Sequence, residues 1–208
     1  MNLILIRHGE TEWNRTGRCQ GFADIELNDI GRKQKLELGL SLRDMDVSAV
    51  YSSDLQRAMN TASEIAKHHN LEVKIVTDLR EMNQGELEGL LFEEIRAKYA
   101  NVLKEWRESP ETLRIPGGES LLQVQERAWR VFEKVRRLHP GETVVAVSHS
   151  LTITALLCRI TGVGLKGFRN FNLQAACKNV ISSANGQAEV TVLNDVSHLS
   201  PVESLPPF

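Results

Sequence analysis

The sequence predicts an α/β fold of three layers, an α/β/α sandwich with a mainly parallel sheet and a small helical insertion. Three observations carry that expectation. Apolar, β-rich runs at residues 3–6, 47–51 and 143–147 read as strands buried on both faces. Amphipathic helical segments lie between them, so each parallel strand has a crossover to connect it. The 208 residues suffice for one domain spanning 1–208, with a cap-like insertion at about 82–118.

Each element has its own justification. After Tyr51, Ser53 stands three residues before Gln56 in a capping-box spacing, and Leu55, Ala58, Ala62 and Ile65 recur at helical intervals. Ser120 and Gln123 repeat the box ahead of Leu121, Val124, Ala128, Phe132 and Val135, and Pro140-Gly141 ends that helix. "KLELGLSLRD" carries leucines at 36, 38, 40 and 42, a strand period. Its lack of β-branched residues and its good helix formers still predict a helix. "FEEIRAKYANVLKEW" places Phe92, Ile95, Tyr99, Val102 and Trp106 along one helical side, and "SPETLRIPGG" after it reads as the insertion's edge loop. Residues 73–77 and 189–193 are shorter strand candidates, and the tail "SPVESLPPF" reads as loosely held.

Composition narrows the function classes. Hydrophobic residues make up 41% and charged residues 25%, which is globular, and the net charge of −2 offers no global field for nucleic acid or an anionic membrane. Cys19, Cys158 and Cys177 are an odd number without CxxC spacing, as in a reduced, cytoplasmic protein. There is no signal-peptide pattern and no run near the ~20 apolar residues of a membrane span. The expected location is the cytoplasm. A homodimer is left open.

The three best strands all end on groups suited to an anion. Arg7-His8 follows the first, Ser52-Ser53 the second with Arg57 soon after, and Ser148-His149-Ser150 the third. Parallel strands would put these ends on one sheet edge, where ligands of α/β folds bind. Arginine presents a planar, permanently charged fork to phosphate oxygens, and a helix N-terminus adds its own attraction for an anion. One such end alone would be a solvated strand terminus. Three together point to a site. Two arginines would repel a divalent cation, ligand-spacing motifs are absent, and no G-x-S-x-G elbow supports a serine hydrolase. His68, His69 and His139 sit at helix C-terminal ends, where a cation is mildly favourable, and are assigned no chemistry. His198 reads as a surface residue.

"LIRHGETEWN" resembles the signature of the histidine phosphatase superfamily, in its phosphoglycerate-mutase-like branch. The resemblance continues through "GRCQGFADIELNDIGRKQ", "VYSSDLQRAMNTA", "LREMNQGELEGL", "PGGESLLQVQERA" and "VAVSHSLTITALL". It implies that His8 is the nucleophile and forms a phosphohistidine. It implies that Arg7, Arg57 and His149 clamp the phosphoryl oxygens, with Asn14 and a backbone N–H near Ser150 assisting. Glu81 would be the proton donor, and Gln20, Gly21 and Phe22 a pocket wall. Many relatives carry glycine after the second histidine. Here Ser150 and Leu151 would shape the pocket floor.

The implied function is metal-independent hydrolysis of a small phosphorylated metabolite, with phosphoserine and α-ribazole phosphate as candidates and no cofactor. A 2,3-bisphosphoglycerate-dependent mutase is the alternative, but "REMNQGELEG" stands where such mutases show an "RHYG"-like stretch. A non-catalytic phosphoanion-binding module ranks third, because every catalytic position is filled. Phe22, Met82, Leu151, Phe168 and Phe171 are candidates for apolar surface near the leaving group, with core packing expected for at least two.

Overall fold

The computed structural model describes residues 1–184 and 186–201. Its strands are β1 (Asn2–Arg7), β2 (Ala49–Ser52), β3 (Val73–Ile75), β4 (Thr143–Ser148), β5 (Lys178–Ala184) and β6 (Gln187–Asp195). Its helices are α1 (Glu12–Arg15), α2 (Asp29–Leu42), α3 (Gln56–His68), α4 (Phe92–Lys98), α5 (Ala100–Glu108), α6 (Leu121–Leu138) and α7 (Ser150–Thr161). The strands form one sheet in the order β3-β2-β4-β1-β5-β6. β1, β2, β3 and β4 run parallel, whereas β5 and β6 are antiparallel additions at one side.

Alternation across the inner strands builds the layers. Leu3 and Leu5 of β1, with Val144 and Ala146 of β4, pack under α6 and α7. Ile4 and Ile6, with Val145 and Val147, face α2 and α3 on the other side. Both faces are covered, so the sequence runs are continuously apolar rather than alternating. A third cluster joins Met82, Leu87, Ile95, Leu113 and Ile115 to Leu121 and Val124 of α6 and Ala155 of α7, and so seats the α4–α5 segment on the body.

The ambiguous leucine run is helical, within α2. Leu38 and Leu42, four residues apart, are buried, while Leu36 is 48% and Leu40 51% exposed. A strand would have put all four on one face. The capping box at Ser120 and Gln123 forms, with bonds of 2.9 and 3.2 Å.

Four local expectations need correction. The box at Ser53 and Gln56 does not form. α3 begins after Leu55, and its first N–H is taken by the Asp24 carboxylate at 2.7 Å. The helix expected from Phe92 breaks at Tyr99 (φ −125°, ψ 37°) into α4 and α5. β5 was not foreseen, because "KNVISSA" buries one face only and includes Asn179 among its buried residues. His139 is not a simple helix-end cation, since it is buried with Nε2 3.0 Å from the Tyr51 hydroxyl and Nδ1 2.7 Å from Glu142. Of the tail, Ser200 donates to Glu37 at 2.6 Å, and residues 202–208 lie outside the described residues. No helix among the described residues is long and apolar enough to cross a membrane.

The loop after β1 lies hard against the start of α2. A Cβ on Gly31 would meet the Glu10 carbonyl oxygen at 2.1 Å. Gly31→Ala should therefore destabilise the protein by about 1–3 kcal/mol, as over-packing does, although alanine is the better helix former. A urea titration checks this. An unchanged or raised midpoint would mean that helix propensity outweighs the backbone contact.

Candidate active site

The parallel register of β1 and β4 pairs Arg7 with Ser148, so the next residue on each strand is a histidine. The His8 N–H donates to the Ser148 carbonyl at 3.0 Å, and the two imidazole centroids are 5.0 Å apart at 56°. β2 lies on the far side of β4, and the Ser53 N–H reaches the Val147 carbonyl at 3.3 Å. Arg57 enters from the first turn of α3. His8, Ser53, Arg57 and His149 are all buried. The three strand ends meet on one edge, as the sequence led us to expect.

Each charged or titratable group is held from behind. Arg57 donates through Nη1 to the Ala23 carbonyl at 2.7 Å and through Nη2 to that of Gly21 at 2.8 Å. Arg7 donates through Nη1 to the Leu173 carbonyl at 2.5 Å. Their buried Nε atoms, and Nδ1 of His149, have no hydrogen-bond partner among the described residues. The two buried arginine Nε–H donors call for an acceptor, and the one that suits two cations is an anion. Burial lowers the pKa of both arginines, opposed chiefly by the Glu81 carboxylate. Both histidines titrate well below the usual imidazole range, first because they are buried and next because Arg57 is near. His8 and His149 are therefore neutral near pH 7.

Glu81 reaches the same edge from the segment after β3. Its Oε1 accepts the N–H groups of Met82 at 2.9 Å, Leu151 at 3.1 Å and Thr152 at 3.3 Å. Oε2 shares only the Leu151 N–H, at 3.2 Å. The carboxylate thus caps α7, whose own N-cap residue, His149, makes no side-chain cap. The backbone carrying Glu81 is pinned by Ser148 to the Leu79 carbonyl, by Thr152 to that of Arg80, and by Arg127 to those of Asp78, Arg80 and Glu81. Arg127 also pairs with Glu119, whose other oxygen takes the Asn83 N–H.

The remaining predicted residues sit around this centre. The Asn14 Oδ1 takes the Thr11 N–H at 3.1 Å, and the Thr11 hydroxyl bridges Asn14 and Gln20. Gly21 holds φ +54° and lies so close to Glu88 that a Cβ would meet its Oε1 at 2.1 Å. The Phe22 N–H donates to Glu88 at 2.7 Å, and Arg80 stacks over the Phe22 ring. Ser150 opens α7, and the Leu151 side chain lines an apolar cavity of about 290 Å³ shared with Cys19, Phe92, Trp106 and Phe168 beneath α4 and α5. Met82 and Phe168 are buried in the cluster that seats α4 and α5.

Arg127 and Glu119 were missed by sequence reasoning. The available signal was an arginine inside the apolar stripe of α6, between Val124 and Val131, because a buried arginine needs a partner. Thr61 was missed too. It accepts the Gly9 N–H at 3.2 Å and so ties the loop after His8 to α3.

Residues 3–196 match the histidine phosphatase superfamily (branch 1). Phosphoserine phosphatase 1 of Hydrogenobacter thermophilus is 38% identical over 199 residues, covering 96% of this chain and 94% of that protein. A metal-independent phosphoserine phosphatase of Arabidopsis thaliana is 38% identical over 203 residues, covering 96% of this chain and 84% of its own. The solved structure of Bacillus stearothermophilus YhfR superposes with a TM-score of 0.90 at 30% identity, over 95% of this chain and 98% of that one.

The depressed histidine pKa values have a consequence for stability. An unfolded histidine takes a proton near ~6.5, while the native His8 and His149 do not until well below that. Over that window the unfolded state binds more protons, so stability is complete above about pH 7 and falls as pH drops. The expected slope is about 1.4 kcal/mol per pH unit for each histidine. Urea midpoints at pH 7.5 and 5.5 should converge more in a His8→Gln variant than in the wild type. Equal shifts in the two would contradict the burial argument.

Proposed function

We propose that this chain, which belongs to the histidine phosphatase superfamily and is a phosphatase, hydrolyses small phosphomonoesters through a phosphohistidine on His8. Phosphoserine leads among substrates because the two relatives named above are phosphoserine phosphatases. α-Ribazole phosphate is the second candidate. Residues 82–118 serve as the cap over the leaving group, and the enzyme works in the cytoplasm.

The observation that carries the reading is the hydrogen bond from His8 Nδ1 to the Gly9 carbonyl, 2.6 Å long. A carbonyl only accepts, so Nδ1 bears the proton and Nε2 keeps its lone pair. A neutral imidazole with a free Nε2 is a nucleophile at working pH and needs no base to activate it.

In the first step Nε2 attacks phosphorus in line while the bond to the substrate alcohol breaks. Arg7, Arg57 and His149 meet the phosphoryl oxygens, where positioning and charge stabilisation do most of the work. Asn14 and the α7 terminus near Ser150 assist. Glu81 supplies the proton to the departing alkoxide. Oε2 suits that role, because Oε1 stays anchored to three backbone N–H groups. In the second step water attacks the phosphohistidine, Glu81 takes its proton, and inorganic phosphate leaves. Gln20, Gly21, Phe22 and Leu151 border the alcohol.

The test is a panel of phosphomonoesters including phosphoserine, assayed in chelator, with and without 2,3-bisphosphoglycerate. Hydrolysis should persist in chelator, and His8→Ala should lose both turnover and acid-labile phosphoenzyme. Interconversion of 3- and 2-phosphoglycerate faster than every hydrolysis would reverse the reading in favour of the mutase. Glu81→Gln should slow phosphoserine, with its poor leaving group, by at least about a hundredfold while p-nitrophenyl phosphate falls far less. Equal losses on the two esters would make Glu81 a substrate-positioning group instead of the acid.

A further inference from the structure

We propose that Ser53 is a positioning residue that sets the tautomer of His149, so that with a phosphoryl group bound His149 presents Nδ1–H to it. The proposal rests on the reading of His8 as nucleophile and His149 as phosphoryl ligand, and adds a residue to which that reading gives no role.

The Ser53 hydroxyl oxygen and His149 Nε2 are 2.7 Å apart, and both residues are fully buried. Ser53 is held there by its backbone bond to Val147 of β4, and its hydroxyl has no other partner among the hydrogen bonds of the described residues. The opposite ring nitrogen, Nδ1, is the buried atom without a protein partner. A neutral imidazole carries one proton, so the Ser53 contact decides what Nδ1 offers. If Ser53 donates to Nε2, Nδ1 carries the proton and can donate to a phosphoryl oxygen. If Nε2 donates to Ser53, Nδ1 turns a lone pair on that oxygen and repels it.

The two histidines therefore have different backing groups. Behind His8 stands a carbonyl, which accepts only and leaves Nε2 with a lone pair for phosphorus. Behind His149 stands a hydroxyl, which is able to donate and so leaves Nδ1 with a hydrogen for oxygen. Nucleophile and oxyanion donor need opposite tautomers, and the neighbouring groups supply them. Ser53 also explains its own departure from the helix cap that its spacing predicts, since its hydroxyl is committed to the imidazole.

Two measurements test this. Long-range ¹H–¹⁵N NMR of the wild-type enzyme bound to vanadate, a phosphoryl-transfer mimic, should show His149 neutral, with Nδ1 protonated and Nε2 bare. A protonated Nε2, alone or in a doubly protonated ring, overturns the proposal, and this reading needs no variant. In Ser53→Ala, kcat on p-nitrophenyl phosphate should fall about ten- to a hundredfold, below the cost of deleting an oxyanion donor outright, with KM changing less. An undiminished kcat overturns the proposal as well. Failure of the underlying reading looks different, because turnover would then survive His8→Ala. Failure of the Ser53 proposal alone leaves turnover dependent on His8.

Discussion

One register governs the molecule. β1 and β4 pair as parallel neighbours with Arg7 opposite Ser148, and each strand runs one residue further into a buried histidine. A slip of one residue would turn the alternating apolar side chains to the wrong layers and also separate the two imidazoles. Core and site are thus selected by the same pairing. The leucines and isoleucines of β1 hold the alignment from both faces, and the two buried histidines lie where that alignment ends.

Around that pairing the two arginines are held by backbone carbonyls, with the Glu81 carboxylate near but not hydrogen-bonded to them. Arg57 is fully buried, yet its Nη atoms rest on the backbone carbonyls of Gly21 and Ala23 and make no ion pair among the described residues. Carbonyl dipoles satisfy the donors while leaving the charge available. The acidic group, Glu81, is kept at the terminus of α7, where backbone N–H groups satisfy it. The arginines and the carboxylate are thus satisfied separately at close range. Arg127 plays the complementary part, with its charge spent on Glu119 and its remaining donors on backbone.

The fold and the centre of the candidate site were legible in the sequence, for a physical reason. Strands covered on both faces must be continuous apolar runs, and whatever polar residue directly follows such a run lies at a sheet edge. That logic reached Arg7, His8, Ser53 and His149 without any structure. It reached Glu81 only through resemblance, since nothing near residue 81 is periodic or buried in an obvious way. Arg127 left a mark, a charged residue inside the apolar stripe of α6, but its partners, Glu119 and the backbone carbonyls of residues 78–81, are set only by the fold. β5 was hidden because its buried face carries Asn179 and Ser183 beside Ile181, too polar to read as a strand. The capping box at Ser53 misled because spacing records which bonds a side chain can make, not which one a buried imidazole will claim.

The cap of α3 by Asp24 ties together two parts that a protein engineer would treat as independent. On the proposed mechanism the loop of residues 20–24 borders the substrate alcohol and is the obvious place to graft a different specificity. The same five residues supply the carbonyls that hold Arg57 and the carboxylate that starts its helix. A transplanted loop that recognises a new alcohol yet lacks an acid at position 24 would loosen the guanidinium along with the selectivity. Retargeting this enzyme by loop exchange therefore has to move the loop and the beginning of α3 as one cassette.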